Sequence, residues 1–305
     1  MRLEHSVFRR LAKACLLLAA LIAQPASAND PATRLDRIRE HATIVISHGE
    51  TAIPFSYRMN SGSPPVGFGI DLSRRIADHI KDHLGLKELR IRWNPVTLAT
   101  RFPMIVSNTV DLECVTTTNT KARDAMVDFS TTFFISDEGI ATRKDSGIRD
   151  YPDLEGKRVA VVRGTPTERN LQARFAAAGK TTTIIGERNN RRAIALLASG
   201  QADAYIAAVP IIAGELVRLG DSKPFHIVGS GGYKEAFGCM LPNNDTAFKK
   251  VVDEAIAKLM ASGEMEQIYN RWFNAPVPPM GANIGLPLNE DNRQLYAAPN
   301  DRPFE

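Results

Sequence analysis

The residues Glu113-Cys114-Val115-Thr116-Thr117-Thr118-Asn119-Thr120-Lys121-Ala122-Arg123 gather in one short stretch the groups that can hold a carboxylate. In an extended run successive side chains alternate, so Thr116 and Thr118 look the same way with Thr117 between them. Asn119 suits the N-cap of a helix over residues 120–126, and Arg123 then falls on its first turn, near free backbone N–H groups. Hydroxyls, orphan amides and a guanidinium converging on one spot fit a planar anion, through a charge-assisted Arg contact and the positive end of the helix. The same stretch also reads as a strand running into a capped helix with a solvated arginine.

The elements that must position this stretch follow from hydrophobic pattern. Residues 43–47 form a short β-branched run, residues 72–84 a helix with Ile76, Ile80 and Leu84 on one face, residues 89–93 a strand, 98–106 a helix and 110–114 a strand. Strand, helix, strand, helix, strand is the pattern of an α/β lobe. Phe129 to Thr142 is a long apolar segment that reads as a crossover. After it the alternation starts afresh: a strand at 158–162, a capping box at Thr165-Pro166-Thr167-Glu168, a strand at 181–185, a helix at 191–199, a strand at 203–207 and a helix at 210–219. Residues 225–228 and 237–241 lead back, and Phe248, Val251, Val252, Ala255, Ile256 and Leu259 recur at helical steps. The expected fold class is α/β, two lobes joined by two crossovers, with a ligand cleft at the carboxyl ends of the strands. Lobe 1 takes residues 29–140 and 236–280, lobe 2 residues 141–235, and residues 281–305 form an extended C-terminal tail.

Residues 1–28 have a basic start, an apolar run from Ala14 to Ala23, a break at Pro25 and then Ala26-Ser27-Ala28, the pattern of a cleavable signal peptide that sends the protein to the periplasm. The chain carries a formal +4, of which Arg2, Arg9, Arg10 and Lys13 less Glu4 account for +3, leaving the exported part at +1. That near-neutral balance, with no basic block interleaved with aromatics, argues against a nucleic acid partner. Hydrophobic content of 44% and charged content of 24% are those of an ordinary globular protein. The exported part keeps Cys114 and Cys239, which an oxidising compartment allows to pair; two separately buried thiols fit the sequence equally well. No His-Glu-x-x-His, Cys-x-x-Cys or Gly-rich phosphate loop is present, so no metal, cofactor or catalytic residue is expected, and the histidines are scattered.

Several dispersed, collinear segments, Ile53-Pro54-Phe55-Ser56-Tyr57, Glu113-Cys114, Thr117-Thr118-Asn119, Asp153-Leu154-Glu155-Gly156-Lys157 and Phe237-Gly238-Cys239-Met240-Leu241, resemble family 3 solute-binding proteins, the periplasmic receptors of polar amino acid ABC importers. The resemblance runs from about Ala42 onward and is nearest to the acidic amino acid receptors. It implies a two-lobe monomer that closes over a small anionic ligand and docks on an inner-membrane permease without altering the ligand. Arg123 matches the arginine that grips the α-carboxylate, Thr116 and Thr118 the hydroxyl residues beside it with Thr117 in the same motif, and Arg101 the arginine that meets a side-chain carboxylate.

Five positions depart from the family pattern. Gly49 stands where the acidic amino acid receptors have an arginine, Leu98 replaces a serine, and Gly164-Thr165-Pro166 replaces Gly-Thr-Thr, so Thr165 keeps a hydroxyl but Pro166 has no N–H to offer. A histidine near the next helix falls at Asn190, and the aspartate that pairs with the ligand ammonium falls at Ala208 or Val209. Either another acceptor takes the ammonium, Glu50 or a backbone carbonyl for instance, or the ligand is a dicarboxylate without one. An enzyme of the dehydratase kind and a sensor module remain alternatives on the same fold.

Overall fold

The computed structural model of the protein describes residues 33–229 and 233–303, so the expected signal peptide lies outside the described residues. Helix α1 (Arg34–His41), held at its start by a Thr33/Asp36 capping box, leads into strand β1 (Thr43–His48). Short strands β2 (Thr51–Ala52), β3 (Ser56–Arg58) and β4 (Pro65–Val66) form a small separate sheet. Then come α2 (Phe68–His83), β5 (Arg90–Pro95), α3 (Arg101–Val106), β6 (Leu112–Glu113) and the single turn α4 (Lys121–Asp124). Strand β7 (Asp128–Arg143) crosses to a second alternation of β8 (Arg158–Val162), α5 (Pro166–Ala177), β9 (Thr183–Glu187), α6 (Asn190–Ala198), β10 (Ala204–Ala208), α7 (Val209–Leu219) and β11 (Phe225–Val228). Strand β12 (Lys234–Leu241) brings the chain back to α8 (Thr246–Ala261), α9 (Glu264–Phe273), a ladder of β13 (Pro276–Val277) with β14 (Ala282–Asn283), and α10 (Glu290–Ala297).

The sheet order is β5-β1-β6-β12-β7-β10-β8-β9, with β11 also paired to β7. One long strand serves both halves. Up to Asp137, β7 runs antiparallel to β12, and from Glu138 it runs antiparallel to β10, with Glu138 opposite Ala208. The change of partner between Asp137 and Glu138 is where the two halves meet. Nearly all of β7 is buried because elements cover it on both faces, its apolar residues Phe129, Phe133, Phe134, Ile135, Ile140 and Ala141 together with buried polar ones such as Ser130, Thr132, Ser136 and Glu138. The first half packs around Phe55, Phe68, Phe134, Phe237 and Phe273, with Phe55 meeting Phe134 edge to face at 5.1 Å. The second half has its own core of Ile140, Leu154, Val159, Val161, Leu171 and Ile206.

The C-terminal segment departs from the extended tail expected from its prolines. Asn289 caps α10 by accepting from the Asn292 N–H, acidic residues fill the first turn, and Leu295 is buried, so a short amphipathic helix forms. It docks on β7: the buried Asn292 side chain accepts from Ile135 N–H at 2.8 Å and donates to the Ile135 carbonyl at 2.7 Å. Beyond it, the Asn300 carbonyl accepts from Thr132 N–H at 2.8 Å.

Candidate ligand-binding site

The site starts where β6 ends. Cys114 is disulfide-bonded to Cys239 in β12, their Cα atoms 4.2 Å apart, and this ties the loop after β6 to a strand 125 residues further on. Backbone bonds continue the attachment: Asn119 N–H donates to the Ala236 carbonyl at 2.8 Å and Gly238 N–H to the Thr117 carbonyl at 3.3 Å. Gly69, at the start of α2, permits this packing, since a Cβ there would stand 1.9 Å from the Cys114 carbonyl oxygen. The alternation then sorts the threonines. Thr116 and Thr118 line a cleft, while Thr117 points the other way and donates to Glu113 Oε2 at 3.0 Å.

Arg101 and Arg123 enter the same cleft, and both are more than nine-tenths buried. Arg123 Nη1 donates to the Thr118 carbonyl at 2.9 Å, and its guanidinium lies 5.4 Å from the centre of the Phe102 ring. Arg101 stands over the same ring at 5.6 Å, with Nη1 3.8 Å from Glu113 Oε1, and its buried Nε–H has no protein acceptor. Burial and the neighbouring Arg101 pull the Arg123 pKa down to about 10, and burial lowers that of Arg101. Two desolvated cations side by side make a place that favours negative charge.

The facing wall comes from the second half: Val162, Thr165, Pro166 and Thr167 at the β8–α5 junction, Asn190 at the start of α6, and Ile206 to Ala208 at the end of β10. The cleft encloses about 460 Å³, its open mouth included. Thr165 is committed as the N-cap of α5, accepting from Glu168 N–H, while Glu168 Oε2 accepts from Gly164 N–H. Asn190 Oδ1 accepts from the Tyr205 hydroxyl at 2.9 Å. Leu98, Pro166 and Ala208 also line the cleft, so with Asn190 four of the altered positions face it.

Other expected residues fall elsewhere. Glu50 is exposed on the small hairpin, 3.8 Å from Arg58, and Gly49 beside it is taken up by a bond to Ser56, so neither lines the cleft. Thr117 is a support for Glu113 rather than a lining residue. The N-cap is Thr120, not Asn119: Thr120 accepts from Arg123 N–H, and the Asn119 side chain donates to the Asp301 carbonyl. Its helix is a single turn, so the grip on an anion rests on the guanidinium groups and hydroxyls rather than on a helix dipole. Two polar lining residues were missed altogether, Thr167 and Glu235. Glu235 sits in β12, 8% exposed, accepting from Thr118 at one oxygen and from Thr167 at the other, each at 3.2 Å.

A family model described as bacterial extracellular solute-binding proteins, family 3, matches residues 44–275. This chain belongs to that family. The solute-binding protein is 36% identical over 289 residues to the L-glutamate/L-aspartate-binding protein of Pseudomonas aeruginosa, covering 95% of this chain and 96% of that one. It is 34% identical over 291 residues to the glutamate/aspartate import solute-binding protein of Escherichia coli, covering 94% and 96%. Among solved structures the solute-binding protein shares its fold with the cysteine-binding protein from Campylobacter jejuni, with a TM-score of 0.70 at 20% identity over 85% of this chain and 98% of that one. Among the described residues no helix is long and apolar enough to cross a membrane.

Proposed function

We propose that this solute-binding protein is the periplasmic receptor of an ABC importer for an acidic amino acid, closing over it and presenting it to an inner-membrane permease without chemical change. The observation that carries the reading is the pair of buried arginines in one cleft, Arg101 from α3 and Arg123 from α4, with Thr116 and Thr118 between the elements that hold them. Two guanidinium groups match two carboxylates, and a bound carboxylate offsets the burial and the Arg101 repulsion that draw the Arg123 pKa down. The names of the relatives in Pseudomonas aeruginosa and Escherichia coli point to the same ligands. The carboxylates at the site fit a receptor better than an enzyme: buried Glu113 stands behind Arg101 and accepts from Thr117, and Glu235 in the lining accepts from Thr118 and Thr167. One observation favours a second reading, a dicarboxylate without an amino group: Ala208 lines the cleft where the family resemblance calls for the aspartate that meets the ammonium.

Mass spectrometry of the small molecule released on denaturing freshly purified protein, with titration of the stripped protein, tests the proposal. Glutamate or aspartate is the expected ligand. A neutral or cationic amino acid would overturn the proposal, and a dicarboxylate would replace it with the second reading.

A further inference from the structure

We infer that Glu235 is the acceptor for the ligand ammonium, taking over from the opposite wall the task left open at Ala208, and that it makes the cleft select amino acids over plain dicarboxylates. The inference rests on the acidic amino acid reading and deepens it.

An α-amino acid enters a desolvated site only if its ammonium finds an acceptor, since an unpaired buried charge is among the costliest defects a complex can carry. Among the described residues that line the cleft, Glu235 is the sole carboxylate. Glu50, the acceptor expected from sequence, is on the surface. Glu113 is buried behind Arg101 and does not line the cleft. Glu235 is also held for the purpose. Thr118 from the first half fixes one of its oxygens and Thr167 from the second half fixes the other, which leaves each oxygen a lone pair for a further donor.

The charges of the lining agree. Burial raises the pKa of Glu235, while Thr118, Thr167 and the two arginines favour its ionised form, as a bound ammonium would; ionised Glu235 against Arg101 and Arg123 leaves the lining a single net positive charge. An acidic amino acid, with two carboxylates and one ammonium, carries the complementary single negative charge. A dicarboxylate brings two and sets one of them near Glu235, with no cation to separate them. Because both hydroxyl partners of Glu235 come from opposite walls, ligand pairing at this carboxylate also draws on groups from both halves of the molecule.

The test compares glutamate with glutarate, which is glutamate lacking its amino group, by calorimetry on ligand-stripped wild type, Glu235→Gln and the double variant Glu235→Gln/Ala208→Asp. Wild type is expected to prefer glutamate by roughly 100-fold or more. Glu235→Gln should lose that factor for glutamate while holding or improving its affinity for glutarate, and Ala208→Asp should restore much of the loss by supplying a carboxylate from β10. Wild type that binds glutarate as tightly as glutamate overturns the inference without any variant, so a misfolded Glu235→Gln does not shelter it. Equal losses for both ligands in Glu235→Gln also overturn it, since they would mark a merely structural role. Wild type that binds neither glutamate nor aspartate defeats the acidic amino acid reading itself, and the inference with it. Tight glutamate binding unchanged in Glu235→Gln defeats the inference alone.

Discussion

Replacing Arg123 with methionine should stabilise the ligand-free protein and at the same time remove its affinity for ligand. A base whose folded pKa lies below its unfolded value is held less well as a cation in the native state, and burial, with Arg101 beside it, pulls Arg123 down from the ordinary guanidinium range to about 10. At about 1.4 kcal/mol per pKa unit this corresponds to roughly 3 kcal/mol of native-state cost. Methionine keeps an unbranched apolar stem against Phe102 but leaves the Thr118 carbonyl without its donor, which returns about 1 kcal/mol. The balance is a gain of roughly 2 kcal/mol, or a melting temperature higher by about 4 to 8 °C for a chain of this size. Binding moves the other way. Truncating one member of a buried charge pair costs about 2 to 5 kcal/mol, so glutamate affinity should fall by roughly 30-fold to several thousand-fold. Scanning calorimetry of stripped protein reads the first effect and titration calorimetry the second. An Arg123→Met protein that melts lower than wild type without ligand, or that still binds glutamate within a few-fold of wild type, would refute the reasoning.

Thiol titration of denatured, unreduced protein, starting from the chain beyond residue 28, should count no free thiol. Cys114→Ser/Cys239→Ser should then lose up to roughly 5 kcal/mol in urea unfolding, since the bridge closes a loop of 125 residues. Burial raises the Glu138 pKa to about 7, with the Tyr151 and Thr167 hydroxyls, Glu235 and Arg174 as its charged or polar neighbours. A raised carboxyl pKa adds stability that is complete below the unfolded value and is lost as pH rises through the folded one. Wild type should therefore lose roughly 3 kcal/mol relative to Glu138→Gln between about pH 4.5 and pH 8, and parallel stability curves for the two proteins would contradict this. Asn292→Ala leaves both polar groups of Ile135 in a buried setting without partners, and should cost about 2 to 4 kcal/mol in chemical unfolding.

The sequence carried the site unevenly, for physical reasons. The threonine alternation was readable because an extended backbone sends neighbours to opposite faces whatever the tertiary context, and Thr116 and Thr118 do share the cleft. The alternating α/β pattern was readable for a similar reason, since each element needs one apolar face. Glu235 was not. The apolar pattern of the return strand starts at Phe237 and leaves Lys234-Glu235 in the connection, although β12 begins at Lys234 and carries Glu235 as a charged residue inside the strand. Thr167 was read only as part of a helix cap, whereas the hydroxyl reaches across to Glu235. Asn119 and Thr120 are both good caps, and pairing of the Asn119 backbone with β12 decided between them. Glu50 was placed by its neighbours in sequence, yet the β2–β3 hairpin turns it to solvent. The tail shows the same limit, because prolines spoke for an extended chain while the partners of Asn292 lie in β7, 157 residues away.

The central claim is that two buried arginines recognise two carboxylates on one ligand. Titration of the stripped protein with glutamate and, in parallel, with glutamine tests it most directly, because the two differ only in whether the side chain carries a charge. Glutamate should bind at least roughly 100-fold more tightly. Glutamine binding as tightly as glutamate, or more so, would contradict the account.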